Sequence, residues 1–440
     1  MAEITFVKKN SRIQAMDVMR GIAVLGILLM NIPAFSVHEF FLYWHDPLRG
    51  ELTLNGFIYK ASLVLFDGKM RGLFTILFGA GIILFIENKK DDSIQVADAY
   101  FRRTMWLLLF GIIDGYILLW GGDILYEYAL CGMLLFAFRN LRVRHMFLIS
   151  FLCLAFFTFL HGRKYQTNKE KFVAYTEATS ILKSGKKLTE EQIIAKSEFE
   201  IILGYGLPFS KATIEQITED IKQRTITHRS GYLDIFAVHS EEVYEYQSAG
   251  FYSDFWETFG TILLGMGLFK LGFFHYRLKH KLYLFLSFLV LPLGLAMCAL
   301  SHYFQAVTQA ELMQCFWKPF STVYIEYPGR IFATVGYAAA ILLICNVNWL
   351  NSFLSLFANV GRMALTNYVM QTILCSLYFY GFGLNHYGEY DAKGLLIFVI
   401  VIWIIQIIYS NIYLRFFQMG PLEWLWKRLT YGKSFVNVNS

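Results

Sequence analysis

Charge is scarce in this chain. Asp, Glu, Lys and Arg make up 16% of its 440 residues, where soluble domains carry roughly 25%, and this excludes a single water-soluble globule. Disorder is excluded as well, because 18% aromatic residues do not stay solvated. Cysteine is sparse: Cys131, Cys153, Cys298, Cys315, Cys345 and Cys375 are scattered, mostly inside apolar runs, with no CxxC pair. They read as small buried hydrophobes. HExxH, GxSxG and GxxxxGK[ST] are absent, so metal and nucleotide-hydrolysis chemistry is not expected. None of the histidines lies deep in an apolar run, which removes a haem held across a bilayer. No internal repeat supports an inverted-repeat transporter.

What is present is length of apolar run. Stretches long enough to cross the ~30 Å hydrocarbon layer lie near 15–36, 103–120, 123–139, 145–162, 252–274, 282–301, 324–346, 363–383 and 392–414. A further one, 56–88, is interrupted by Asp67-Gly68-Lys69-Met70-Arg71-Gly72; charge at that depth predicts a broken or kinked helix. The sequence therefore predicts an all-α, polytopic integral membrane protein of about ten transmembrane helices. The first span carries Asp17, Arg20 and Asn31 and reads as a retained helix, not a cleaved signal.

Basic residues place the chain. Lys8, Lys9 and Arg12, then Lys89, Lys90, Arg102 and Arg103, then Arg139, Arg142 and Arg144, and finally Arg277, Lys279, Lys281, Arg415, Lys427 and Arg428 all gather on one side. That bias puts both termini in the cytoplasm and the protein in a cytoplasmic membrane as a multi-pass chain. Three regions follow: an N-terminal membrane region over 1–162, an extracytoplasmic helical insert over 163–250, and a C-terminal membrane region over 251–440 with an amphipathic tail. Within the insert, Thr189-Glu190-Glu191-Gln192 fits a capping box, which predicts a helix from Thr189 to about Phe199. Residues 346–361 hold a short amphipathic piece expected at the cytoplasmic interface. The net charge of +6 is explained by topology, and no nucleic-acid partner is expected.

Polar side chains inside spans are the functional candidates. Asp114, Asp123 and Glu127 flank the tight Trp120-Gly121-Gly122 hairpin and are expected to converge, where repulsion and desolvation would tune one of them as a general base. The plainer role of Asp123 is to cap the next helix. Glu257, Glu326 and Arg330 reach a similar depth, suggesting an outward-facing polar pocket. Arg362, Thr366, Asn367 and Gln371 form one stripe on an apolar helix. A cytoplasmic funnel lined by Arg20, Lys69 and Arg362, with Arg71 adding positive charge, would attract a phosphorylated ligand. The plainer reading of Asp17 and Arg20, three residues apart, is an ion pair.

These residues also carry a resemblance. Met16 to Ile32, which contains Asp17-Val18-Met19-Arg20-Gly21 and Asn31, resembles the opening helix of the bacterial YeiB family of membrane proteins, a domain of unknown function. Lys69-Met70-Arg71-Gly72-Leu73-Phe74 with Gly79 and Gly81, Gly122-Asp123-Ile124-Leu125 with Tyr128, Gly361 to Tyr368 with Gln371, and Gly420-Pro421-Leu422-Glu423-Trp424-Leu425-Trp426 are similar to further motifs of that family. The family is grouped by similarity with transmembrane acyltransferases of the heparan-glucosaminide acetyltransferase type. The resemblance implies acyl-CoA, in the simplest case acetyl-CoA, as co-substrate. Arg20, Lys69 and Arg362 would meet its phosphates, and Asn31 would orient the reacting group. Those acetyltransferases use a histidine after the first span; His38 and His45 stand there without its motif, so Asp114 or Asp123 would act instead.

The expected function is a transmembrane acyltransferase that moves an acyl group to a hydroxyl or amino acceptor, a small molecule or a glycan. The alternative is a transporter of a small anionic or zwitterionic solute. The expected partners are the bilayer and the acceptor, and a homodimer is compatible with the sequence.

Overall fold

A computed structural model describes residues 14–37, 54–87, 94–194, 196–197, 211–304 and 322–432. Among the described residues there is no strand. The helices are α1 (Gln14–Ser36), α2 (Leu54–Leu65), α3 (Lys69–Glu87), α4 (Ile94–Ile112), α5 (Leu125–Leu135), α6 (Val143–Lys183), α7 (Lys211–His228), α8 (Tyr232–Glu245), α9 (Phe251–Lys270), α10 (His280–Phe285), α11 (Leu291–Phe304), α12 (Val323–Cys345), α13 (Asn351–Arg362), α14 (Ala364–Phe379), α15 (Ala392–Phe416) and α16 (Pro421–Tyr431). Among the described residues, six apolar helical stretches are long enough to cross a membrane. The other spans read from sequence are helical too, as α4, α5, α9 and α14. The protein is an all-α polytopic membrane protein.

The break expected in the second span falls at Phe66-Asp67-Gly68, with Gly68 in the left-handed region at φ +68°. Before it, α2 has no buried residue; after it, α3 runs through the centre of the bundle. Its neighbour is α9, and the two approach at backbone distance, since a Cβ on Gly79 or Gly265 would collide with the carbonyl oxygen of Ile262 or Ile76. A second such pair joins α1 and α13 antiparallel, Gly21 against Phe357 and Gly361 against Asp17. The amphipathic 346–361 piece thus turns Leu354, Ala358 and Val360 inward and leaves Trp349 and Phe353 exposed.

The boundary expected at 162–163 lies inside a continuous helix. α6 has 41 residues, about 60 Å at ~1.5 Å per residue, twice the hydrocarbon thickness. At the other end, α8 passes through a π-turn, Tyr246–Gly250, straight into α9. Thr189 and Gln192 make the reciprocal bonds of a capping box, 3.0 and 3.4 Å; the expected end of that helix near 199 is outside the described residues. The insert is tied to the turn between α14 and α15: Gly381 N–H donates to the His228 carbonyl at 2.8 Å, and Arg229 donates to the Tyr387 carbonyl at 2.6 and 2.9 Å.

Candidate functional site

The helix break creates the first polar cluster. With Gly68 turning the chain, Asp67 accepts Arg330 Nη2 from α12 at 2.7 Å, and the same nitrogen reaches Glu326 one turn back. Ser301 of α11 donates to the other Glu326 oxygen at 2.9 Å. One turn into α3, Arg71 donates to Glu257 of α9 at 2.6 Å. Between these ion pairs, Gly68, Arg71, Gly72, Thr258, Thr261 and Thr334 line a cavity of about 10 Å³, room for about one water. Asp67, His302 and Glu326 bring ligand atoms within 4.8 Å of one another, but the Arg330 guanidinium bonds both carboxylates.

Glu127 of α5 belongs to this cluster. It is buried, and neither carboxylate oxygen has a hydrogen-bond partner among the described residues. Arg71, Thr258, Asp254 and Glu257 surround it. The neighbouring Tyr128 bonds Thr75 and the Arg71 carbonyl.

Asp114 and Asp123 form a second cluster, so the three carboxylates do not meet at one point. The reason is that Asp123 precedes the first turn of α5 and folds back to cap it, whereas Glu127 lies within the helix on the face toward α9 and Arg71. Asp114 lies in a π-turn, Ile113–Ile117, and accepts Thr372 Oγ1 from α14 at 3.4 Å. Asp123 caps α5 through the Tyr126 N–H at 2.9 Å and accepts the Tyr368 hydroxyl at 3.5 Å. That hydroxyl also receives Trp120 Nε1 at 3.1 Å.

The predicted basic funnel is not assembled. Met70 lies against Gly26, six residues or about 9 Å further along α1 than Arg20. Lys69 is wholly buried there and donates to the Leu63 carbonyl at 3.0 Å, sealed from any aqueous ligand; Arg71 is taken by Glu257. Arg20 and Arg362 do share one end. Arg20 pairs with Asp17 at 2.8 Å, the plainer role, and Arg362 donates to the Gln418 carbonyl at 2.8 Å. Asn367 is wholly buried and bonds Ser410 and the Val360 carbonyl, while Gln371 bonds Val24 and Gln406. Their stripe joins α14 to α1 and α15. Asn31 is half-buried near the end of α1, with no hydrogen-bond partner among the described residues. His38 and His45 lie outside the described residues.

Sequence reasoning missed two features. Thr258, Thr261 and Thr334 are neutral hydroxyls in apolar helices, and nothing local marks them. Glu423 carries a clearer signal, following Pro421 at a helix start: its carboxylate accepts the N–H groups of Leu365 and Thr366 at 2.8 and 3.1 Å and the Thr366 hydroxyl at 2.6 Å. It thereby caps α14 from outside the helix. Burial pushes its pKa up.

Comparison with known proteins fits this arrangement. Residues 268–433 match the family described as protein of unknown function DUF418, a stretch containing both motifs that Glu423 joins. The uncharacterized protein YxaH of Bacillus subtilis (strain 168) is 28% identical over 96% of this chain and 95% of its own length. The uncharacterized protein YeiB of Escherichia coli (strain K12) is 27% identical over 94% and 95%. The chain is thus similar over nearly its whole length to YxaH and YeiB. Another relative, an uncharacterized 39.9 kDa protein of Bacillus acidopullulyticus, is 24% identical over 97% of this chain and 96% of its own length. No solved structure matches.

Proposed function

We propose that this protein is a transmembrane acyltransferase, taking an acyl group from acyl-CoA at the cytoplasmic side and passing it to a hydroxyl or amino acceptor. Glu127 is the observation that carries the reading. A buried carboxyl with no hydrogen bond of its own, beside a guanidinium and a small cavity, is placed to accept a proton from an incoming nucleophile. The acceptor oxygen or nitrogen then bonds to the thioester carbon and the carbon–sulfur bond breaks. CoA leaves as the thiolate and receives the proton. Arg71, fixed by Glu257, supplies positive charge for the transient oxyanion. The cavity holds about one water, so admitting the reactants requires the bundle to open around the break at Gly68. Arg20 and Arg362 are the cations at the end where the CoA phosphates would arrive.

Turnover of acetyl-CoA by purified protein is the test. Glu127→Gln is expected to lower the rate about 100-fold or more while leaving acetyl-CoA affinity unchanged, and Arg20→Ala to weaken that affinity about tenfold. Protein that neither binds nor consumes acyl-CoA would overturn the reading. One observation favours the transporter alternative: a span broken among buried ion pairs is how transporter helices expose an ion or solute site. Solute flux in proteoliposomes without acyl-CoA consumption would decide for it.

A further inference from the structure

Asp114 in the π-turn and Asp123 beyond it have no arginine beside them, unlike most buried carboxylates here. Asp17, Asp67, Glu257 and Glu326 each face an arginine, Glu127 has Arg71 beside it, and Glu423 has two N–H groups and a hydroxyl. Asp114 and Asp123 are 0% and 1% exposed and face each other. Among the described residues, no Lys, Arg or His bonds either of them; their donors are Thr372, Tyr368 and the Tyr126 N–H, all neutral. The other titratable group facing Asp123 is Tyr246, from the π-turn after α8. Asp114 Oδ1, fully buried, accepts no hydrogen bond.

Two buried negative charges without a counter-charge are costly, and no cation among the described residues offsets them. We propose that Asp114 and Asp123 hold one monovalent cation between them, a sodium ion or a proton. Distances support a shared ion. Thr372 to Asp114 at 3.4 Å and Tyr368 to Asp123 at 3.5 Å are at the outer limit of hydrogen bonding, while oxygens that ligate one ion at about 2.4 Å stand roughly 3.4 Å apart when at right angles. Sequence has made room for the arrangement: Gly111, one turn before Asp114, leaves the space that Asp123 Oδ2 fills. A π-turn at Asp114 is the kind of helix irregularity that recurs at functional sites. The site is separate from Glu127 and stands whether or not acyl transfer is correct.

The test is thermal unfolding of the full-length protein in detergent, with NaCl exchanged against choline chloride at constant ionic strength and alkaline pH, then with pH lowered in choline alone. A saturable rise in Tm with sodium identifies the ion as sodium. A rise on acidification without sodium identifies a proton. Either response must disappear in Asp114→Asn and Asp123→Asn, which remove a charge and so raise Tm in the cation-free alkaline buffer. If those variants fail to fold, Thr372→Val decides, since losing one oxygen must raise the half-saturating sodium concentration several-fold or displace the pH midpoint. A wild-type Tm indifferent to both ions, a response retained in Asp114→Asn, or an unmoved Thr372→Val overturns the proposal.

Discussion

Gly361 and Gly81 show how differently one residue type can be used. A Cβ at Gly361 would collide with the Asp17 carbonyl oxygen, whereas at Gly81 nothing lies within 4 Å. Gly361→Ala is therefore expected to force α13 off α1 and to cost about 1–3 kcal/mol as overpacking, read as a lowered Tm. Gly81→Ala, in an open helix interior, should be neutral or stabilise by up to about 1 kcal/mol. A GxG pattern in sequence announces close packing but does not say which glycine makes it: Gly79 meets Ile262 and Gly81 meets nothing. Charge was legible in the same partial way. Asp67 inside an apolar run announced a break, and the break is there, but Lys69 and Arg71 could be assigned to a funnel only by depth. Their true partners, Leu63 and Glu257, depend on packing that no local pattern encodes.

At the scale of elements, the insert is held to the bundle by a buried histidine pair. His228 and His239 place their Nε2 atoms 3.1 Å apart, with Tyr387 stacked on His228 at 4.4 Å and Tyr380 against both. Burial first, then the His228 and Arg224 charges, push the His239 pKa down to about 3; Glu242 is the acid nearby, at 3.7 Å. The unfolded segment takes its proton near pH ~6.5, the docked one only near pH 3, so between those values the undocked state binds more protons. Docking is thus complete above about pH 6.5 and weakens as pH falls, by up to about tenfold per unit. Hydrogen exchange of residues 220–245 and 380–388 should accelerate accordingly at mildly acidic pH, and His239→Gln should flatten that dependence. Sequence showed neither histidine as a structural residue, because their tyrosine partners, Tyr380 and Tyr387, lie far along the chain in the turn after α14. A second element-level outcome concerns Glu423. Glu423→Ala leaves the first turn of α14 uncapped and is expected to lower stability by about 0.5–2 kcal/mol, measured against Glu423→Gln, whose amide oxygen can still accept.

For the whole molecule, apolar run length was enough to predict an all-helical membrane protein, because crossing a hydrocarbon layer dictates both length and hydrogen bonding. The sites were less legible, since they depend on which helices neighbour one another. The same neighbour relations fix which face is which. The turn between α14 and α15 touches the insert through Gly381 and His228, and α15 then runs 25 residues away from it, about 38 Å at ~1.5 Å per residue, more than the ~30 Å hydrocarbon core. Gln418, just beyond α15 and in contact with Arg362, must therefore emerge on the face opposite Lys186 of the insert. In a chain whose own cysteines are replaced, Lys186→Cys is expected to react with a membrane-impermeant maleimide in intact cells. Gln418→Cys should react only after permeabilisation, as both termini in the cytoplasm require. Labelling of both from the same side would mean that α15 does not cross, and the end carrying Arg20 and Arg362 would lose its claim to meet a cytoplasmic co-substrate.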